Sequence, residues 1–334
     1  MKDHFNRNID YLRVSLTDRC NLRCIYCMPE EGVKSIPHCE ILRISEIEEV
    51  VKIASELGIR NVRLTGGEPL VRKGVVDLVK SLREIDNIDH IAMTTNATLL
   101  KDFAKPLKDA GLDRVNISLD TLDKAQYAKI TRRGNLDDAL EGVDSALAVG
   151  LEPVKINVVV VKCLEQDFFA FAKMTDDRPL HVRFIEYMPV GDAQNYAGCK
   201  WGVDEIIPSE EVILKINQSA NKLGHPELQP VGDGEKVQGW GPAIYYKFPN
   251  SLGSVGTISA LSNHFCSSCN RIRLTSDGRI KPCLFSDLEY DIKTPLRLKD
   301  KVKVCATIKE ALLNKPKAHD FKVGTKRKMS QIGG

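Results

Sequence analysis

Nowhere in the 334 residues do eighteen apolar side chains run together, so no segment reads as a membrane-spanning helix. Charge of one sign is equally scarce. The 48 Lys and Arg against 45 Asp and Glu leave a formal net charge of +3, too weak a field for non-specific attraction to DNA, RNA or a membrane surface. The opening Met1-Lys2-Asp3-His4 lacks a signal peptide's apolar core and a transit peptide's Arg/Ser-rich pattern. A soluble cytoplasmic protein is expected, or a mitochondrial-matrix one if the source is eukaryotic and a transit peptide was trimmed. Aromatics are few, at 6 %, but 43 % hydrophobic residues over this length bury a substantial core without disulfide staples.

Cysteine is what the chain has in excess, and its spacing matters more than its number. Six of the ten fall into two tight sets, Cys20-x3-Cys24-x2-Cys27 and Cys266-x2-Cys269-x13-Cys283. In a reducing compartment such close thiols read as metal or cluster ligands. Cys39, Cys163, Cys199 and Cys305 are scattered and read as small buried hydrophobes. Three thiolates hold three irons of a [4Fe–4S] cube and leave the fourth iron open, whereas iron–sulfur ligation ordinarily uses four cysteines. Structural zinc wants four closed ligands. The first trio has no fourth Cys or well-spaced His nearby, His38 lying eleven residues beyond Cys27. For the second, His264 or Cys305 can complete a zinc ribbon, which leaves a non-catalytic zinc protein as an alternative. Its nucleic-acid contact would be the basic tail Lys315, Lys317, Lys322, Lys326, Arg327 and Lys328, a stretch more simply read as a solvated charge run. Arg271 and Arg273 weigh against zinc: alternate residues of a strand face one way, so both guanidinium groups can converge beside the cysteines on an anionic ligand.

From Tyr11 to about Tyr187 β-rich runs alternate with amphipathic helical ones. Strands are expected at Tyr11–Leu16, Asn61–Leu64, His90–Thr94, Arg114–Leu119, Val154–Val161 and His181–Ile185. Between the first two, Ser45 and Glu48 form a capping box, Ile47, Val50, Val51, Ala54 and Leu57 keep helical spacing, and Gly58 ends the helix; Gly111 and Gly150 end later ones. Six strand-then-helix units imply an α/β fold of parallel strands, either an open doubly wound sheet or a full or partial barrel, with ligands at the strands' carboxyl ends. The first cysteine loop, Gly66-Gly67-Glu68-Pro69, Thr94-Thr95-Asn96 and Ser118 all fall at those ends. Beyond about Gly191 the alternation stops. A helix-like segment (Glu210–Gln218), hairpin-like runs at Ile244–Phe248 and Arg271–Ile280 turned by Ser276-Asp277-Gly278, and a last helix at Val302–Leu313 follow.

Cys20-x3-Cys24-x2-Cys27, with Tyr26 before the third cysteine, resembles the signature of radical S-adenosylmethionine enzymes, and Gly66-Gly67-Glu68-Pro69 resembles their amine-binding segment, where a bare Gly67 lets backbone approach the ligand closely. With Phe265-Cys266-Ser267-Ser268-Cys269-Asn270-Arg271-Ile272-Arg273 and the terminal Gly333-Gly334, almost the whole chain is similar to the GTP 3′,8-cyclase family, which opens molybdenum cofactor biosynthesis. The resemblance implies an incomplete (βα)6 TIM-type barrel over residues 1–200 with the first [4Fe–4S] cluster, and a smaller C-terminal α+β domain over 201–334 with a second, GTP lying between. It implies S-adenosylmethionine contacts at Tyr26, Gly67, Glu68, Ser118 and Met188, and GTP contacts at Arg13, Arg63, Thr94, Lys155, Arg271 and Arg273. Arg13, Arg271 and Arg273 are the implied catalytic group. It further implies a flavodoxin- or ferredoxin-type electron donor, cyclic pyranopterin monophosphate synthase as the downstream enzyme, and a monomer or homodimer. The Gly-Gly tail is expected to reach into the active site. Two positions depart from the family pattern: Ala97 stands where glycine is usual, straining the turn if positive φ is needed, and Cys163 replaces a common glycine. A peptide-modifying radical enzyme with an auxiliary cluster is the enzymatic alternative.

Overall fold

The computed structural model describes residues 1–33, 36–189, 201–232, 241–320, 325 and 327–333. Gly191, Cys199, Lys322, Lys326 and Gly334, with the expected boundary at residue 200, lie outside the described residues. Six parallel strands, β1 (Tyr11–Ser15), β2 (Asn61–Thr65), β3 (His90–Thr95), β4 (Arg114–Ser118), β5 (Val154–Val160) and β6 (Leu180–Glu186), lie side by side in chain order. Short helical crossovers of one hand lead to this arrangement. The second half extends the same sheet from both edges. Beyond β6 come β9 (Ser254–Ile258), β8 (Ile244–Lys247) and β7 (Gln229–Pro230); beyond β1 come β10 (Arg271–Leu274), β11 (Arg279–Lys281) and β12 (Tyr290–Asp291). Both β9 and β10 run parallel to their inner neighbours, while β8 and β11 pair antiparallel. The chain passes directly from β9 to β10, so residues 259–270 bridge the two flanks of an incomplete barrel.

Alternation divides the faces. Leu12, Val14, Val62, Leu64, Ile91, Met93, Val115, Ile117, Ile156, Val158, Val182, Phe184, Ile272 and Leu274 point outward into one core shared with the helices. The residues between them point the other way and are polar or charged at Arg13, Arg63, Asn116, Asn157, Arg183, Arg271 and Arg273. A parallel sheet is ordinarily apolar on both faces. Here the inner face is polar and lines a cavity.

The helix after β1 spans Ile44–Glu56 and does not use the Ser45/Glu48 box: Glu46 accepts the Arg43 N–H at 2.7 Å, so the chain enters the helix sooner. Ile47, Val50, Val51 and Ala54 are buried as their spacing requires. Gly58, Gly111 and Gly150 leave their helices with positive φ, and Gly278 turns β10 into β11. Ala97 takes a φ of 64°, the strained conformation expected of a glycine site. The spare cysteines are not simple buried hydrophobes. Cys39 is exposed because its short helical turn, His38–Glu40, lies on the surface; Cys305 is half-buried and Cys163 is disulfide-bonded. No helix among the described residues is long and apolar enough to cross a membrane.

Candidate active site

The loop leaving β1 carries Cys20, Cys24 and Cys27. It is tied to the segment after β4 by the Arg23 and Ile25 N–H groups, which donate to the Thr131 and Ile130 carbonyls at 3.0 and 2.9 Å. The Cys27 and Met28 N–H groups both donate to the Cys24 carbonyl, turning the three sulfurs inward. The loop leaving β2 is zipped against it: the Gly67 N–H donates to the Thr17 carbonyl at 2.7 Å and the Glu68 N–H to the Arg19 carbonyl at 2.8 Å. A Cβ at Gly67 would stand 2.2 Å from the Arg19 carbonyl oxygen. Glycine is thus demanded there by the neighbouring backbone itself.

Buried Glu68 accepts from Thr95 Oγ1 and the Asn96 N–H, both at 2.7 Å, and from the Leu70 N–H at 3.1 Å; burial still pushes its carboxyl up to about 7. The Tyr26 hydroxyl donates to Asp120 Oδ2 at 2.5 Å, and Asp120 Oδ1 accepts the Val159 N–H at 2.9 Å. Burial raises Asp120 to about 6. Sequence reasoning missed Asp120; its only signal is its place two residues past Ser118 at the end of β4.

Cys266 and Cys269 lie on the 259–270 bridge and Cys283 just beyond β11. Both trios line one cavity. Its wall also holds Tyr26, Gly67, Glu68, Ser118 and Met188 on the side of the first trio, with Arg13, Arg63, Thr94, Arg271 and Arg273. Lys155 is placed elsewhere, off that wall, beside His181 and Asn116 on neighbouring strands. Burial, then Arg183, Arg114 and Arg63, push it down to about 6. Arg183, also missed, lies on the cavity wall and donates to Asn157 Oδ1 at 2.9 Å through Nε. Its readable signal was the polar alternation of β6.

Register brings Arg273, Arg13 and Arg63 abreast on three adjacent strands. Burial and then Arg273 hold Arg13 well below its ordinary value; burial and then Arg271 bring Arg273 to about 10. Like charges side by side on a sheet repel, so this row is arranged for an anion. Arg63 Nε, Thr94 Oγ1 and Arg271 Nε are buried without a hydrogen-bond partner among the described residues, the kind of group that a ligand can satisfy.

The donor chemistry suits iron–sulfur cubes. Burial and then Glu68 push Cys20 up to about 11, burial and then Cys20 push Cys27 up to about 12, and burial and then Cys27 hold Cys24 well above the ordinary thiol value. Buried thiols that oppose one another's ionisation need a cationic partner, which metal ligation supplies. Among the described residues no three His, Cys, Asp or Glu converge on a single-ion position; in a cube each thiolate takes a different iron. At the second trio burial raises Cys266 and opposes ionisation of Cys269, yet Lys315 and Arg271 bring Cys269 below its ordinary value. The basic tail is therefore not a solvated run: Lys315 is 3 % exposed, and Arg327 is paired with Asp277 and Glu289, while Lys317 alone of these three is exposed. The tail's described end reaches the cavity, where Arg273 Nη1 donates to the Gly333 carbonyl at 2.6 Å.

Residues 14–171 match the Radical SAM superfamily model and residues 180–321 the Molybdenum Cofactor Synthesis C model. The chain is 49 % identical to the GTP 3′,8-cyclase of Pelotomaculum thermopropionicum over 338 residues, and 47 % identical to that of Desulforamulus reducens, covering all of each. Its fold is similar to Streptococcus suis SuiB bound to the precursor peptide SuiA, with a TM-score of 0.59 at 14 % identity, over 94 % of this chain and 72 % of that one.

Proposed function

The chain belongs to the GTP 3′,8-cyclase family of the radical SAM superfamily, and from that premise we propose how its residues divide the work of turning GTP into 3′,8-cyclo-7,8-dihydro-GTP. Cys20, Cys24 and Cys27 hold the [4Fe–4S] cluster of the superfamily. When bound, that cluster would supply the one electron that splits S-adenosylmethionine into methionine and a 5′-deoxyadenosyl radical, and transfer of the ribose 3′ hydrogen to that radical gives 5′-deoxyadenosine and lets C3′ close onto guanine C8. Glu68 faces the methionine amine from the Gly66–Pro69 loop, Tyr26 and Ser118 border the adenosyl group, and Met188 closes that side. Asp120 fixes the Tyr26 ring through its hydroxyl.

Cys266, Cys269 and Cys283 would hold a second cluster, whose open iron would supply a Lewis-acid hold on the guanine, and the 201–334 unit contributes these three ligands. Arg13, Arg63, Thr94, Arg271 and Arg273 bind the nucleotide along the inner face, and Lys155 meets the far end of the triphosphate. Guanidinium forks suit phosphate, and fixed donors aimed at developing charge in a dry site contribute more than they would in water. Holding the ribose rigidly keeps the radical on its intended hydrogen. A cytoplasmic ferredoxin- or flavodoxin-type donor supplies electrons, and cyclic pyranopterin monophosphate synthase consumes the product.

One observation carries this reading: two three-cysteine sets open into one cavity walled by a row of arginines. Anaerobic turnover with a chemical reductant tests it. GTP should disappear as 5′-deoxyadenosine forms, with the cyclised nucleotide as product; 5′-deoxyadenosine formation indifferent to GTP would reject the substrate assignment. The likeness to a peptide-binding enzyme, at 14 % identity, extends to fold alone.

A further inference from the structure

The segment directly after the last long helix, Lys301–Leu313, is stitched to the second cysteine trio. The Lys315 ammonium donates to the Arg271 and Pro282 carbonyls, each at 2.8 Å. Those carbonyls lie two residues after Cys269 and one before Cys283. An ammonium has three protons to donate; two of them are spent on these carbonyls. Arg7 works from the opposite end of the chain. Its Nη1 donates to the Cys266 carbonyl at 2.8 Å and the Lys317 carbonyl at 3.1 Å, and its Nη2 to the Pro316 carbonyl at 2.8 Å. Asp3 Oδ2 accepts from Arg7 Nε at 2.6 Å, and both side chains are buried.

A buried ammonium facing mostly backbone carbonyls is costly unless a negative group stands beside it. The second trio, whose flanking Arg271 and Pro282 carbonyls the ammonium holds, stands where that negative group is needed. We propose that Lys315 is the positioning residue of the second trio, holding the backbone after Cys269 against the backbone before Cys283 and placing a positive charge beside the trio, with Arg7 fixing the Cys266 carbonyl. This rests on the reading that the second trio holds a cluster. Hydrogen bonds and charge at cluster sulfurs set reduction potential, so Lys315 makes that cluster easier to reduce.

The test compares full-length wild type with Lys315→Met and, as an equal charge change at an exposed neighbour, Lys317→Met. Each is reconstituted anaerobically, its iron is counted, and its clusters are titrated by EPR-monitored reduction. Wild type and Lys317→Met should hold about eight irons. Lys315→Met should fall to about four, or keep the second cube with its potential shifted negative, while the first cluster's potential and GTP-independent cleavage of S-adenosylmethionine stay unchanged. Wild-type iron content with both potentials unmoved overturns the proposal, and so does equal loss from both clusters, which marks a general folding role. A wild type holding only about four irons instead overturns the second-cluster reading itself.

Discussion

The two cysteine trios are chemically alike and built differently. The first lies within eight residues of one loop, at the end of the first strand, and its three thiols are pushed up by burial, by one another and by Glu68. The second is split between a bridge and a hairpin exit, and buried Lys315 stands next to Cys269. At the first trio burial and like charge outweigh Arg23 and Lys328, whereas at the second Lys315 and Arg271 prevail at Cys269. The first set is contiguous in sequence, although its loop is tied to Thr131 and Ile130; the second is assembled from segments far apart in the chain and held by Arg7 and Lys315 from near its two ends.

Breaking the comparison outright gives the largest effect. The double variant Cys266→Ser/Cys269→Ser should keep about four irons and still form 5′-deoxyadenosine, yet make no cyclised nucleotide; Cys24→Ser should lose 5′-deoxyadenosine altogether. Product analysis beside iron counting distinguishes the two. Next comes Arg273→Ala, which leaves both trios intact and removes a donor shared by the nucleotide and the tail. Cyclisation should fall on the order of a hundredfold or more, the usual cost of removing one preorganised donor, with iron content unchanged. Single-turnover product yield measures it.

A smaller effect concerns charge in the barrel floor. Lys155, brought to about 6 by burial and its cationic neighbours, is mostly neutral in the ligand-free protein at pH 7.5. Its folded value lies below the ordinary one, so the fold loses stability as pH falls from about 10.5 towards 6. A triphosphate restores the charged form. Nucleotide binding should therefore take up a proton, and affinity should weaken by up to about tenfold per pH unit above 6. Calorimetry in buffers of different ionisation enthalpy reads the proton, and Lys155→Met should abolish it.

The smallest effect is conformational, at the turn after β3 where the Ala97 N–H donates to Thr95 Oγ1. Ala97→Gly removes a left-handed alanine that costs roughly 1–2 kcal/mol, against roughly 0.5–1 kcal/mol of added backbone entropy. A gain of up to about 1 kcal/mol in denaturant unfolding is expected.

Much of this was legible in the sequence because it is local. Strands β1 to β6 announce themselves by β-rich runs between helical periods, and the rule that ligands gather at strand ends groups the cysteine loop, Gly66–Pro69 and Ser118 before any coordinates. What escaped was long-range. Lys315 reads as one basic residue among several in a tail, since nothing in its neighbours reveals that carbonyls 44 and 33 residues away will surround it. Arg7 meets Cys266 across 259 residues. Asp120 and Arg183 carry no motif, and the distinction between Lys155 and the other cations depends on depth inside the barrel, which only packing decides. Ser45 misled as a cap because Glu46, one residue on, had already taken the free N–H.

The central claim, that both trios act on one nucleotide in one cavity, is met most directly by turnover of GTP deuterated at the ribose 3′ position. Deuterium should appear in 5′-deoxyadenosine in step with cyclised product. Deuterium-free 5′-deoxyadenosine alongside the cyclised product would mean that the radical is not delivered to that ribose, and the shared cavity would lose its role.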